Sequence, residues 1–222
     1  MTHEEQTTQN VQFWDEKNTS RLESLSDGVF GVAITLLGFN LQAPDLGGNP
    51  SAAALLEELS RLWPSYLAFV ISFFTILANW THHTLIFRLV DQANLRFVLA
   101  NGLLLLLTTA LPFTTSVVAE YLYDNPAAPV AVAFYAGSWL LVNISFNLLW
   151  LSASHHGGEL LRPEVTEPYR RRLTRIHLTG LPCYLVAAVV ALFSAYAGLG
   201  ICALLWVFWM YTARQRNLHP GG

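Results

Sequence analysis

Charged side chains are scarce in this chain of 222 residues, since Asp, Glu, Lys and Arg together make up only 12% of it. Soluble domains carry about 25% charged residues, whereas here hydrophobic residues make up 53% of the sequence. The formal net charge of −3 argues against the strongly basic surface that nucleic-acid binding requires. The composition therefore predicts a membrane protein whose main solvent is the lipid bilayer, with no nucleic-acid partner.

Cysteine and the common cofactor motifs are also scarce or missing. The two cysteines, Cys183 and Cys202, lie in apolar runs and form no CxxC pair, so we interpret them as small buried hydrophobic residues. The sequence holds no Walker A loop, no GxGxxG and no zinc-finger spacing. We therefore predict no cofactor, no resident metal ion and no enzymatic activity.

The N-terminal segment lacks the features of a leader. Its first twenty residues are polar and acidic, and no basic stretch precedes an apolar one there, which is not the pattern of a cleaved signal peptide. The first hydrophobic segment is therefore predicted to remain in the protein. We divide the chain into a cytoplasmic N-terminal segment (1–20), a six-helix membrane domain (21–214) and a cytoplasmic C-terminal tail (215–222).

Six hydrophobic segments are long enough to cross a bilayer, which takes about 20 mostly apolar residues in a helix. Backbone polar groups find no partner in lipid, so each segment is predicted to be helical and the fold class all-α. Ser20 is interpreted as the N-cap of the first span, Ser51–Leu62 as a short interfacial helix, and Tyr196–Gly198 as the last connection. The predicted spans are Leu22–Leu41, Trp63–Phe87, Phe97–Ala119, Val130–Leu151, Leu173–Ala195 and Leu199–Tyr211, the last extended to Arg214.

Basic residues fall unevenly on the two sides of such a bundle. With six spans, eleven of the twelve Lys and Arg lie on the side of the chain ends, and only Arg61 lies on the other. Because basic residues concentrate in cytoplasmic loops, both ends are predicted to be cytoplasmic. We expect a multi-pass protein of the cell membrane.

The first span is the unusual segment, because it contains Asp27. An acid at mid-membrane costs roughly 2.5–3.5 kcal/mol, so Asp27 is predicted to face protein or water; alternatively, it only begins a helix near the interface. Positions 28, 32, 35 and 39 are spaced by four, three and four and therefore share one face. That face is either a pore lining or ordinary lipid contact and packing. Its residues are Gly28, Val32, Thr35 and Phe39, with Leu36 beside them.

The second and third spans add polar side chains. His82 and His83 are adjacent and point in different directions on a helix, so they are a poor metal site, which would favour i, i+4 spacing. We predict instead a structural hydrogen bond from one histidine to Asp27 or Ser26. Asn101 in the third span is predicted to bridge helices.

Together these residues resemble the transmembrane protein 175 family, the lysosomal and prokaryotic potassium channels. The family motif Arg-x-x-x-Phe-Ser-Asp stands here as Arg21-Leu22-Glu23-Ser24-Leu25-Ser26-Asp27. Leu25 replaces the phenylalanine, which is a conservative apolar departure.

Two further patterns carry the resemblance into the next helices. Trp80-Thr81-His82-His83 matches a Trp-x-x-His pattern and so selects His83, and Asn101 is followed eleven residues later by Pro112. The resemblance covers about residues 20–115 and extends to the other three spans by length and hydropathy only.

The resemblance implies a homotetramer in which the first helix of each subunit lines a central pore. By position, Val32 would form the hydrophobic constriction, Thr35 a hydroxyl layer for a partly dehydrated potassium ion, and Phe39 an outer ring beside Leu36. The Thr-Val-Gly-Tyr-Gly filter is absent. The resemblance also implies a network that holds the first helix against the second and third, formed by Arg21, Ser26, Asp27, Gly28, Trp80, His83 and Asn101.

The leading hypothesis is a passive potassium-selective channel with potassium as the permeant ion. A proton channel or a weakly selective cation channel would use the same scaffold. A small secondary transporter would usually show broken helices and an inverted repeat. An intramembrane enzyme would need a convergent nucleophile or metal triad, and none is visible in the sequence.

Overall fold

The computed structural model describes residues 16–123, 125–155 and 157–218, and within them the side chains from residue 19 to residue 212. This part of the chain forms seven α-helices and one short 3₁₀ segment, and its only β-pairing is an isolated bridge between Val90 and Leu161. The elements are α1 (Glu16–Leu36), the 3₁₀ segment (Leu37–Asn40), α2 (Ala52–Arg61), α3 (Trp63–Leu89), α4 (Leu95–Tyr121), α5 (Ala128–Ser154), α6 (Glu167–Phe193) and α7 (Ala195–Leu218).

The structure confirms six helices that are long and apolar enough to cross a membrane, namely α1 and α3 to α7. Four of them have 27 residues, about 40 Å at 1.5 Å per residue, which exceeds a hydrocarbon core of about 30 Å. The short α2 is the exception, and it lies where Ser51–Leu62 predicted a helix. The Ser51 hydroxyl accepts a hydrogen bond from the Ala54 amide at 3.2 Å and so caps α2.

Two predicted helix boundaries are wrong, and so is the predicted burial of Cys183, whose side chain is exposed on the outer side of α6, whereas Cys202 is buried as predicted. Because α1 already begins at Glu16, Ser20 lies inside the helix and is not its N-cap. The last connection is Ser194 alone, in extended conformation, since α6 ends at Phe193 and α7 begins at Ala195. Tyr196–Gly198 therefore belongs to α7. A Cβ on Gly198 would lie 2.5 Å from the Ala191 Cβ, so glycine there lets α6 and α7 approach closely.

Helix α5 forms the centre of the bundle and packs against α4, α6 and α7. Its largest buried side chains are aromatic: Tyr135, Trp139 and Trp150. Helix α1 lies to one side, and within the described chain it packs mainly against the spanning helices α3 and α4. One side of α1 therefore has no partner within the described chain.

The linkers at one end of the bundle are tied together through their backbones. The Asp91 amide donates to the Leu160 carbonyl and the Arg162 amide to the Leu89 carbonyl, both at 2.9 Å. The turn after α3 and the loop after α5 are thereby held in one unit, which fixes the ends of α3 and α5 relative to each other.

Candidate functional site

Helix α1 has a buried face and an exposed face. The buried face carries Leu22, Ser26, Phe30, Ala33 and, in the 3₁₀ segment, Leu37. These positions recur every three or four residues, as one side of a helix requires. This spacing turns the rest of α1 away from the bundle.

The residues predicted to line a pore all lie on the exposed face. Val32 is 55% exposed, Leu36 38% and Phe39 74%, and Thr35 is exposed between them. The exposed positions continue through Gly28, where an added Cβ would meet no atom within 4 Å. Within one chain, Gly28 therefore makes none of the close helix contacts that a small residue permits.

Thr35 is the polar residue in the middle of this face. Its hydroxyl donates to the Val32 carbonyl at 2.9 Å. The proton is thus engaged with the backbone, and the two lone pairs of the oxygen remain available. At this position the side chain is suited to accept a hydrogen bond or to contact a cation.

Behind the exposed face, a buried chain of hydrogen bonds joins α1, α3 and α4; we call Ser26, His83 and Asn101 the anchoring cluster. The Asn101 amide donates from Nδ2 to Ser26 Oγ at 3.0 Å, and Ser26 Oγ donates to the Leu22 carbonyl at 2.8 Å. The Asn101 carbonyl oxygen then faces His83 Nε2 at 2.9 Å. Since that oxygen can only accept, Nε2 carries the hydrogen in this arrangement.

Aromatic rings enclose the histidine of the anchoring cluster. Phe87 stacks on the His83 ring with 4.3 Å between centroids, and Phe30 of α1 lies 5.3 Å away at a tilt. All three members of the cluster are fully buried. The cluster therefore holds α1 in place by packing as well as by hydrogen bonds.

The other predicted network residues are arranged differently. Asp27 accepts a hydrogen bond from Trp80 Nε1 at 2.8 Å, at an exposed position. The histidine prediction is wrong in detail, because the His83 bond goes to Asn101, which stands between the ring and Ser26. Arg21 is exposed, and no hydrogen bond joins it to the cluster within the described side chains.

A second buried polar cluster was not predicted from the sequence. His82 Nε2 bonds to the Trp209 carbonyl of α7 at 2.9 Å, and the His82 ring lies 6.3 Å from that of His177 of α6. Trp150 stacks on His177 at 5.8 Å, and the Asn147 amide donates to the His177 carbonyl at 3.2 Å. The sequence signal for it is the presence of polar side chains in the second, fourth and fifth spans.

Glycine makes room for this second cluster. A Cβ on Gly180 would lie 2.4 Å from the Asn143 Nδ2, so only glycine allows that side chain its position between α5 and α6. Asn143 in turn accepts from the Asn147 amide at its backbone carbonyl, at 2.8 Å. Among the described residues, no three His, Cys, Asp or Glu side chains are grouped so that they could hold a metal ion.

Known proteins with similar sequences belong to one family. The family model described as endosomal/lysosomal potassium channel TMEM175 matches residues 21–112. That stretch contains the exposed face of α1 and the whole anchoring cluster. A potassium channel of Chamaesiphon minutus is 39% identical over 194 residues, which cover 87% of this chain and 94% of the relative.

This chain is also similar to a solved structure and to an animal relative. The crystal structure of a lysosomal potassium-selective channel TMEM175 homolog from Chamaesiphon minutus matches with a TM-score of 0.79 at 37% identity, covering 89% of this chain and 98% of that one. The endosomal/lysosomal proton channel TMEM175 of Gallus gallus is 30% identical over 148 residues, which cover 64% of this chain and 30% of the longer animal protein.

Proposed function

Since the chain belongs to the TMEM175 family of ion channels, we propose that it conducts potassium passively through a pore lined by α1. Four copies assemble around a central axis in this proposal, with the exposed face of α1 turned towards that axis. The chain is a multi-pass membrane protein, and we propose the cell membrane as its location, with both ends in the cytoplasm.

The observation that carries the proposal is the division of α1 into two faces. One face is fastened to α3 and α4 by the anchoring cluster, whereas the other exposes Val32, Thr35 and Phe39 without a partner in the chain. The Thr35 hydroxyl lies between the two apolar side chains on this exposed face. A symmetric assembly would turn the three exposed positions into three rings.

The spacing of these rings suggests how an ion would pass. Along a helix, Val32 and Thr35 are separated by about 4.5 Å and Thr35 and Phe39 by about 6 Å. An ion that leaves the apolar ring formed by Val32 would meet the four Thr35 hydroxyl oxygens after moving only about 4.5 Å along the pore. Narrow apolar rings and nearby oxygens discriminate ions by the cost of removing water, and that cost is lower for potassium than for sodium.

In this proposal the anchoring cluster keeps α1 in a fixed orientation. It lies on the opposite side of α1 from the pore face, so it does not touch the ion. It holds the rotation of α1 about its own axis, which decides whether Val32 and Thr35 point to the central axis. His83 and Asn101 are thus positioning residues for the pathway.

The test is cation flux into liposomes that contain the purified protein. Val32→Ala is expected to raise total cation flux and Thr35→Ala to lower the preference for potassium over sodium. The matched controls are Val189→Ala and Thr179→Ala on α6, where the valine is 48% exposed and the threonine hydroxyl also bonds to its own helix. Flux that is the same in all four variants and the wild type would refute α1 as the pore helix.

A second candidate is proton or weakly selective cation conduction on the same scaffold. It is favoured by one observation, the name of the chicken relative as a proton channel. Reversal potentials in opposing potassium, sodium and pH gradients separate the candidates. A potential that follows the potassium gradient supports the first, and one that follows the pH gradient supports the second.

A further inference from the structure

A groove lies at the start of α4 and the end of α5, and no member of either polar cluster lines it. It has a volume of about 220 Å³ and is bordered by the first turn of α4, the last turns of α5 and the loop that follows α5. Its floor and walls include Leu148 and Leu151 of α5, which are 44% and 45% exposed. The polar residues that line it, and form its rim, are Asn94, Arg96, Ser152, His155 and Glu159.

The two charged residues of the rim have no interaction partner among the described side chains. Arg96 and Glu159 are both exposed, and neither makes a hydrogen bond or an ion pair with another described side chain. Arg170, by contrast, is paired with Glu167, and Arg61 with Glu57 and Glu58. One positive and one negative group thus border the same groove without neutralising each other.

The groove lies at the end of a membrane span. Helix α5 ends at Ser154, so the exposed leucines at 148 and 151 belong to the last turns of a membrane span and the charged rim lies just beyond it. An apolar wall that continues into a charged rim at the membrane boundary fits an amphiphile, with chains along the leucines and a headgroup at the rim. A water-soluble ion would gain nothing from the leucines.

We propose that this groove binds phosphatidylethanolamine. Its phosphate would accept hydrogen bonds from the Arg96 guanidinium, which presents its donors in a planar fork. Its primary ammonium would donate to the Glu159 carboxylate, and the acyl chains would cover Leu148 and Leu151. Phosphatidylglycerol has no ammonium for the carboxylate, and the quaternary ammonium of phosphatidylcholine has no N–H to donate.

The experiment is native mass spectrometry of the delipidated protein in detergent. Phosphatidylethanolamine, phosphatidylglycerol and phosphatidylcholine with identical acyl chains are titrated separately, and bound lipid is counted. The wild type is expected to bind phosphatidylethanolamine more tightly than the other two. Loss of one charge-assisted hydrogen bond corresponds to about tenfold weaker binding, which is expected for both Arg96→Gln and Glu159→Gln.

The two variants are distinguished by the second lipid, and two matched variants serve as controls. Arg96→Gln should weaken phosphatidylglycerol as well, because it removes the phosphate contact, whereas Glu159→Gln should leave that lipid as tightly bound or tighter. Arg172→Gln and Glu164→Gln remove exposed charges of the same kinds elsewhere and are expected to change nothing.

Three results would overturn the proposal. Equal binding of all three lipids by the wild type would indicate annular lipid only, and this comparison needs no variant. Tightest binding of phosphatidylglycerol would assign the groove to an anionic lipid. Unchanged phosphatidylethanolamine binding in both groove variants would place the lipid elsewhere. Each readout is independent of ion flux, so the lipid site and the channel proposal fail or succeed separately.

Discussion

Replacing Asn101 by leucine would test the anchoring cluster most directly. Both side chains have four heavy atoms and branch at Cγ, so Asn101→Leu removes both hydrogen bonds of the amide without leaving a cavity. Ser26 keeps its bond to the Leu22 carbonyl and loses little. His83 loses the acceptor of its Nε2 hydrogen and stays fully buried between Phe30 and Phe87.

The expected loss of stability can be estimated from these contacts. Hydrogen bonds between membrane helices contribute about 0.6 kcal/mol each on average, and two are removed. A buried donor left without an acceptor costs about 1–3 kcal/mol more. Asn101→Leu should therefore lower the free energy of unfolding by roughly 2–4 kcal/mol, with most of the loss arising at His83.

A second substitution tests where that loss arises. Replacing both partners of a buried hydrogen bond by apolar groups of similar shape is often nearly neutral, so His83→Phe in the Asn101→Leu background should restore at least half of the lost stability. The assay is reversible unfolding in mixed micelles of mild detergent and dodecyl sulfate. Thr109→Val on the same helix, whose hydroxyl is exposed and bonds to the Leu106 carbonyl, is the control.

Two results would contradict this reasoning. A loss below about 0.5 kcal/mol in Asn101→Leu, the usual range for surface changes, would mean that the amide does not hold the helices. A double variant no more stable than the single one would mean that the buried histidine donor is not the source of the cost.

Two further predictions concern single contacts. Trp80→Phe removes the donor to Asp27, and because this bond is exposed it should lower stability by no more than about 1 kcal/mol in the same unfolding assay; a loss as large as that of Asn101→Leu would contradict this. Gly180→Ala places a methyl group 2.4 Å from Asn143 Nδ2 and should cost about 1–3 kcal/mol through overpacking, seen as a lower melting temperature. Gly200→Ala meets no atom within 4 Å and should leave the melting temperature unchanged or raise it; equal effects of the two alanines would refute the steric argument.

The number of membrane helices was predictable because each crossing needs a long apolar run, and such runs are visible in the sequence. Their ends were less predictable. Glu16 and Lys17 look like the end of a polar tail, yet they continue α1, since hydropathy does not report where a helix extends beyond the bilayer. Between Leu173 and Tyr211 the apolar run is almost unbroken, so the sequence indicated a connection near Tyr196–Gly198 but not its position at Ser194.

The two polar clusters differ in how far the sequence predicted them. Ser26, His83 and Asn101 were found because a family motif marks each of them, and the structure adds the order in which they bond. His82 and His177 are separated by about a hundred residues and belong to no recognised motif. Only the packing of α3 against α7 and of α5 against α6 brings them together. The pore face, the tetramer and the orientation in the membrane stay predictions.

Ser194, the single residue between α6 and α7, determines how α7 is rotated about its own axis. One residue turns an α-helix by about 100°, and Ser194 provides no slack to absorb such a turn. An inserted or deleted residue there would swing the inward side of α7, which carries Leu199, Cys202 and Trp209, towards the lipid. The Trp209 carbonyl would leave His82 at the same time. This junction is therefore where a change in length of one residue should be least tolerated, whereas the stretch between the 3₁₀ segment and α2, which lies outside the helices, can absorb one.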